Sequence, residues 1–205
     1  MKSTLVRIPL NGTEEQHRRL LALQAAFVQV CNALAPMVQE HRCWHRVTLH
    51  HLSYKVLRER FPAVGSQMVC NAIYSVCRMA RVAFQHPASP VNLARLNGGP
   101  LPTLHFADNS PVYFDRHTLS VKGGKLSMYT LDGRMRFDVA LSPTEEERFH
   151  TEKLREVVLA RNAKGLFELS FWFAPADEDE EAGPLQVGNR QALLPEYVKV
   201  EVPQQ

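Results

Sequence analysis

Aspartate is absent from the first hundred residues of this chain, and Glu14, Glu15, Glu40 and Glu59 are the only acids there, against 12 basic residues. A stretch so poor in one sign of charge points to a polyanionic partner. Cysteine is scarce too: there are four, with no Cys-x-x-Cys pair. Cys31, Cys70 and Cys77 fall inside apolar helical patterns, where a free thiol behaves as a small hydrophobe. No continuous apolar run approaches the ~18–20 residues of a membrane helix, and the Met1–Arg7 start has no apolar signal region. A reducing cytoplasm is the expected location. The chain also lacks a Gly-x-Ser-x-Gly elbow and a Gly-rich phosphate loop ending in Gly-Lys, which removes two common catalytic frameworks.

What is present is a chain of 205 residues, 45% hydrophobic, enough for a core in one or two small domains. Its net charge of +3 hides a division. Residues 1–100 carry +8, residues 101–176 are balanced, and the −5 lies in residues 177–205.

Residues 2–9 alternate as a short strand. Thr13-Glu14-Glu15-Gln16 is a capping box opening a helix with apolar residues at Leu20, Leu23, Phe27, Val30, Cys31, Leu34 and Val38. Pro36 is expected to kink or end it. A second helix is expected from Thr48 to Arg60, and a third from Ser66 until Pro87. Residues 86–102, rich in Pro, Gly and Asn, read as a linker. Strands are then expected at 111–114, 118–121, 125–128 and 134–141, with a tight turn at Lys122-Gly123-Gly124. Leu166–Phe173 is a further strand. Lys153–Arg161 reads either as its hairpin partner, which is favoured, or as a helix begun at Ser142-Pro143-Thr144-Glu145. Asp177–Glu181 is a solvated acidic run.

Tyr74, Arg78 and Arg81 sit at i, i+4 and i+7 on the third helix, a spacing suited to one stacked base and two phosphates. A solvated helix face is the plainer reading of the same residues. Arg18, Arg19, Arg42, Arg46, Lys55, Arg58 and Arg60 lie in the same helical block, and Arg suits bidentate phosphate contact. Arg134 and Arg136, which alternate out of their strand, complete the expected nucleic-acid-binding set. His41, Cys43, His45, His50 and His51 match no common zinc spacing, so no metal is expected and polar loop histidines are the better reading. Asp108, Asp115, Asp132 and Asp138 read as turn carboxylates satisfying local backbone groups. No cofactor and no catalytic residue is expected.

The order of these features resembles the N-terminal half of TnpB, the transposon-encoded RNA-guided nuclease, and of the related type V CRISPR effectors. The residues that carry it are Thr4–Pro9 leading to Thr13-Glu14-Glu15-Gln16; Phe27-Val28-Gln29-Val30-Cys31-Asn32; Ser66-Gln67, Asn71-Ala72 and Ala80–Phe84; and the strands within Pro111–Met128, Arg134–Leu141 and Lys153–Phe173. The match spans roughly residues 2–175. It implies an α+β fold: a small antiparallel β-barrel of the wedge or OB-like kind, with a three-helix recognition insertion after the first strand. The expected division is residues 1–10 as first barrel strand, 11–86 as the basic helical domain, 87–102 as linker, 103–175 as the remaining strands and 176–205 as an acidic, loosely ordered tail.

The resemblance also implies contact with a structured guide-like RNA, with an RNA–DNA hybrid or target DNA as further partners, recognised by backbone and A-form shape. The family continues into a RuvC-like nuclease domain; Val187-Gly188-Asn189-Arg190 resembles its Val-Gly-x-Asp start, with Arg190 where the Asp would stand, and no two-metal nuclease is expected from the residues that remain. The expectation is therefore a non-catalytic binding protein, acting with a separate nuclease subunit or as a binding-only regulator. The alternative expectation is a protein-interaction subunit that docks its partner on the Phe167/Phe171/Phe173 face and the acidic tail.

Overall fold

A computed structural model of the protein describes residues 4–174 and 194–203. The fold is α+β. In chain order the elements are β1 (Thr4–Pro9), α1 (Glu14–His41), α2 (Arg46–Arg60), α3 (Ser66–Gln85), α4 (Leu93–Leu96), β2 (Thr103–Phe106), β3 (Val112–Phe114), β4 (Leu119–Lys122), β5 (Lys125–Thr130), β6 (Gly133–Asp138), α5 (Pro143–Thr151), β7 (Lys153–Arg161), β8 (Phe167–Ala174) and β9 (Val198–Glu201). They form two compact units. The first takes its described residues from 4–24 and 111–174, the second from 25–110 and 194–203.

In the first unit an antiparallel sheet runs in the order β1-β8-β7-β3. The opening strand pairs with β8 in the register Val6↔Phe171 and Ile8↔Leu169, so α1–α3 are an insertion in the chain path of this sheet. Period-2 alternation turns Val6 and Ile8 inward with Val157, Leu159, Phe167, Leu169, Phe171 and Phe173, all buried. Burying each such side chain stabilises by roughly 1.5–3 kcal/mol. The phenylalanine face is thus inside the unit, with Phe149 of α5 edge-on to Phe171 and Phe173, ring centroids 5.0 Å away. Of the alternative expectation, the Phe167, Phe171 and Phe173 face is thus buried, while the acidic run of the tail lies outside the described residues.

Lys153–Arg161 is the favoured hairpin strand, and the helix begun at Ser142 ends before it, at Thr151. Ser142 and Glu145 close a capping box on α5, and β7 then pairs with β8 as the hairpin. A second sheet, β4-β5-β6, stands apart from the first. Its β4–β5 turn is Gly123-Gly124, with φ of +56° and +69°, the two left-handed positions that a two-residue hairpin of this type demands. Among the described residues these ladders do not close into a barrel.

In the second unit α1 runs through Pro36 to His41. Proline withholds one backbone donor, but Leu34, Ala35 and Val38 around it are buried, and that packing carries the helix onward. The helix ends in a Schellman arrangement: Cys43 N–H donates to Val38 C=O at 3.3 Å while Arg42 takes φ +48°. α3 is buried nearly all round.

The expected linker is folded into this unit. Ser89 is buried and its hydroxyl donates to Ala83 C=O, Asn92 caps α4, and Gln39 donates to Leu101 C=O at 3.0 Å. The expected loose tail is corrected at its end, where β9 pairs with β2 through Thr103↔Glu201 and Phe106↔Val198. Such an isolated short pair has little apolar alternation in sequence to announce it. The acidic run Asp177–Glu181 and residues 187–190 lie outside the described residues.

α1 meets the length and composition of a membrane-crossing helix, the one such helix among the described residues; half of its most apolar window is buried inside the fold. Gln24, Gln29 and Asn32 break the continuous apolar run, so it does not stand out on reading the sequence.

Candidate nucleic-acid interface

Only one stripe of α3 reaches the surface between its ends. Gln67, Cys70, Tyr74, Arg78 and Arg81, spaced three or four residues apart, are half-buried while Met68, Val69, Ile73, Val76 and Phe84 are buried. The stripe is narrower than the open, solvated face the sequence suggested. A helix that hides most of its surface and leaves a tyrosine and two arginines at its opening concentrates the polar chemistry in one strip.

Arg46, the first residue of α2, places its guanidinium over the Tyr74 ring, 5.3 Å from the centroid. A guanidinium laid on an aromatic face keeps its N–H edge pointing outward, where it can meet a phosphate oxygen. The ring is thus already capped on one face, so a base would extend the stack rather than begin it. Burial pushes the Cys77 thiol up to about 12; Cys43 adds to the rise, and the positive charges of Arg81 and Arg46 oppose it. Arg46 thus meets Tyr74, while Arg78 and Arg81 follow one and two turns further along the same stripe of α3.

The other sequence candidates have separate places. Lys55 is exposed on α2. Arg42 is exposed and donates to Gly99 C=O at 3.1 Å. In the first unit Arg18 is bound to Glu15 at 2.5 Å. Arg19 donates to Thr130 Oγ1 at 2.8 Å and to the Asp132 carbonyl at 3.3 Å, so its guanidinium fastens α1 to the β5–β6 turn. Arg134 and Arg136 project from the outward face of β6.

That outward face carries residues the sequence reading passed over. Tyr129, 42% exposed, lies under the Arg134 guanidinium at 4.1 Å from its centroid, and Arg134 also donates to Ser127 Oγ at 3.0 Å. Lys122 and Lys125 are cross-strand neighbours on the same face. The signal was the alternation of Lys125, Ser127 and Tyr129 with buried Leu126 and Met128.

The carboxylates take local roles. Asp115 accepts from the backbone N–H groups of His117 and Thr118 at 2.9 and 3.0 Å, Asp132 faces Arg19, and Asp138 pairs with Lys125. His45 Nδ1 lies 3.2 Å from Thr48 Oγ1, and His50 stacks on Tyr54 at 4.7 Å. Among the described residues no three His, Cys, Asp or Glu side chains converge as metal ligands would. No protein-family model matches this chain, and no curated protein matches it.

Proposed function

We propose that the protein binds nucleic acid without catalysing a reaction, in the manner that the TnpB resemblance implies: a structured guide-like RNA first, with an RNA–DNA hybrid or target DNA as further partners. The observation that carries this is the Arg46 guanidinium over Tyr74, with Arg78 and Arg81 on the same half-exposed stripe of α3 as that tyrosine. An aromatic ring with one guanidinium over it, and two further arginines along the same stripe, suits a base plane and phosphates. The +8 charge of residues 1–100 supplies the long-range attraction. On this reading, the β1-β8-β7-β3 sheet with its helical insertion is the wedge-type element of such a protein, working in the cytoplasm beside a separate nuclease subunit or as a binding-only regulator.

The experiment is a salt series on the purified protein with RNA that co-purifies from cells. Affinity should fall linearly with the logarithm of salt concentration. Arg78→Glu with Arg81→Glu should weaken binding at least tenfold more than Arg155→Glu on β7. Absence of co-purified RNA together with a flat salt dependence sinks the proposal.

A further inference from the structure

The outward face of β4-β5-β6 is built from alternate residues of three strands. β5 presents Lys125, Ser127 and Tyr129; β6 presents Arg134, Arg136 and Asp138 directly opposite them, in the register Tyr129↔Arg134, Ser127↔Arg136 and Lys125↔Asp138. The side chains between them, Leu126, Met128, Met135 and Phe137, point to the other face and are buried. Successive outward residues on one strand are about 6.6 Å apart, twice the rise per residue. One end of the face therefore holds an aromatic ring with a guanidinium stacked on it, and the other end holds lysines.

The charge is one-sided. Lys122, Lys125, Arg134 and Arg136 share the face with a single carboxylate, Asp138, already paired with Lys125. Arg134 is held by neutral partners, the Tyr129 ring and the Ser127 hydroxyl, so its positive charge stays uncompensated by them.

We infer that this sheet face binds a single-stranded segment of nucleic acid, with one base extending the Tyr129–Arg134 stack and the following phosphates meeting Arg136, Lys125 and Lys122. The inference rests on the nucleic-acid reading above and adds a second surface, in the other unit, with a different preference. A duplex hides its base planes within its own stack, whereas a single strand can lay one on a ring at a sheet surface. An acidic peptide would satisfy the lysines but would leave the stacked ring and guanidinium without a use.

The test is fluorescence anisotropy with a labelled ten-nucleotide oligouridine, the matching oligothymidine and a labelled RNA duplex. Tyr129→Ala should weaken single-strand binding about tenfold, the loss of one stacked base, and leave duplex affinity within about twofold. Tyr129→Phe should retain binding, since the ring and not the hydroxyl stacks. The RNA and DNA arms distinguish the two sources of a single strand, and a tenfold loss in either supports the site. Arg136→Glu, at an exposed position, should weaken single-strand binding and lower the salt slope by about one; it keeps the question open to test should Tyr129→Ala fold poorly.

If the native protein binds the oligonucleotides and both variants bind as it does, this face is not the site while the nucleic-acid reading survives. Equal loss on single strands and duplex overturns the stacking role. Displacement of the oligonucleotide by polyglutamate, with Tyr129→Ala indistinguishable from the native protein, assigns the face to acidic peptides instead. If neither single strand nor duplex binds at low salt, the inference and the reading beneath it fall together.

Discussion

The side chain of Asn32 behaves toward Phe106 as a strand would. Its carboxamide oxygen accepts from Phe106 N–H at 2.8 Å, and its amide nitrogen donates to Phe106 C=O at 2.9 Å. Phe106 ends β2 with its own side chain buried, and its backbone groups need partners there. One helix residue completes the strand.

Asn32→Ala should therefore cost about 1–3 kcal/mol, the penalty of leaving such groups unmet. Asn32→Asp separates donor from acceptor. A protonated carboxyl can still accept and donate, but the carboxylate would face the Phe106 carbonyl with no proton to give. The folded protein then holds that carboxyl's pKa above its unfolded value. Its stability is retained below the unfolded pKa and is lost as pH rises through the folded one. Chemical denaturation of the aspartate variant should show its deficit against the native protein growing from acid toward neutral pH; a deficit independent of pH contradicts the two-bond geometry.

The example also shows what a sequence can disclose. α1 and the β5, β6 and β8 strands were legible because one face of each is buried and the residue period follows the backbone period, and α3 because its most apolar residues recur at the helical period. The Thr13–Gln16 and Ser142–Glu145 caps were legible for the same reason, being local. Asn32 could be picked out only as part of a resemblance, because its partner lies 74 residues away. β2 and β9 escaped because a two-stranded ladder between distant segments leaves no local pattern. In the candidate site, the spacing of Tyr74, Arg78 and Arg81 was readable. That α3 would be buried on almost every other side was not, nor that Arg46 would reach the ring from the start of the preceding helix. Arg19 is a similar case: nothing local announces that its guanidinium reaches the Thr130–Asp132 turn.

Arg42 occupies the left-handed position that ends α1, φ +48°, where a side chain is strained and glycine is not. Its hydrogen bond to Gly99 C=O is exposed and contributes little. Arg42→Gly should accordingly be more stable than Arg42→Ala by about 1 kcal/mol in paired thermal melts. On an ordinary exposed helix residue the order would be reversed, alanine above glycine. If alanine is the more stable here, the Schellman ending is misassigned. Both variants lose the guanidinium equally, so an equal drop in RNA affinity would separate binding by Arg42 from its effect on folding.

Glu145 gives the fold a dependence on acid. The Ser142 backbone N–H and hydroxyl donate to its carboxylate, each at 2.8 Å, and hold its pKa below the usual glutamate range, with Arg148 adding its charge. A lowered pKa means the contribution is present above the unfolded value and disappears as pH falls through the folded one. Glu145→Gln should thus be less stable than the native protein near neutrality and approach it in acid. Ser142→Ala, which removes the reciprocal cap, should cost about 1 kcal/mol at neutral pH. A gap between Glu145→Gln and the native protein that stays constant across the acid range would show that the charge plays no part.

The cysteines report on the arginine cluster without any ligand. Cys31 and Cys77 are buried, and burial pushes both thiols up, Cys31 well above the usual range and Cys77 to about 12. Since the thiolate is the reactive form, alkylation of the native protein near pH 8 should label half-buried Cys43 well before Cys31 or Cys77, as peptide mapping by mass spectrometry would show. Arg81 and Arg46 are what keep the Cys77 thiol from rising further. Removing either charge, in Arg81→Gln or Arg46→Gln, should slow Cys77 labelling, while a cluster dispersed in solution would leave it unchanged. A bound polyanion neutralises the same two guanidiniums, so RNA should slow Cys77 labelling in the native protein and have little effect in the Arg46→Gln, Arg81→Gln double variant. If RNA binds with full affinity yet Cys77 reacts at the same rate with and without it, the phosphates lie elsewhere than on the α3 stripe.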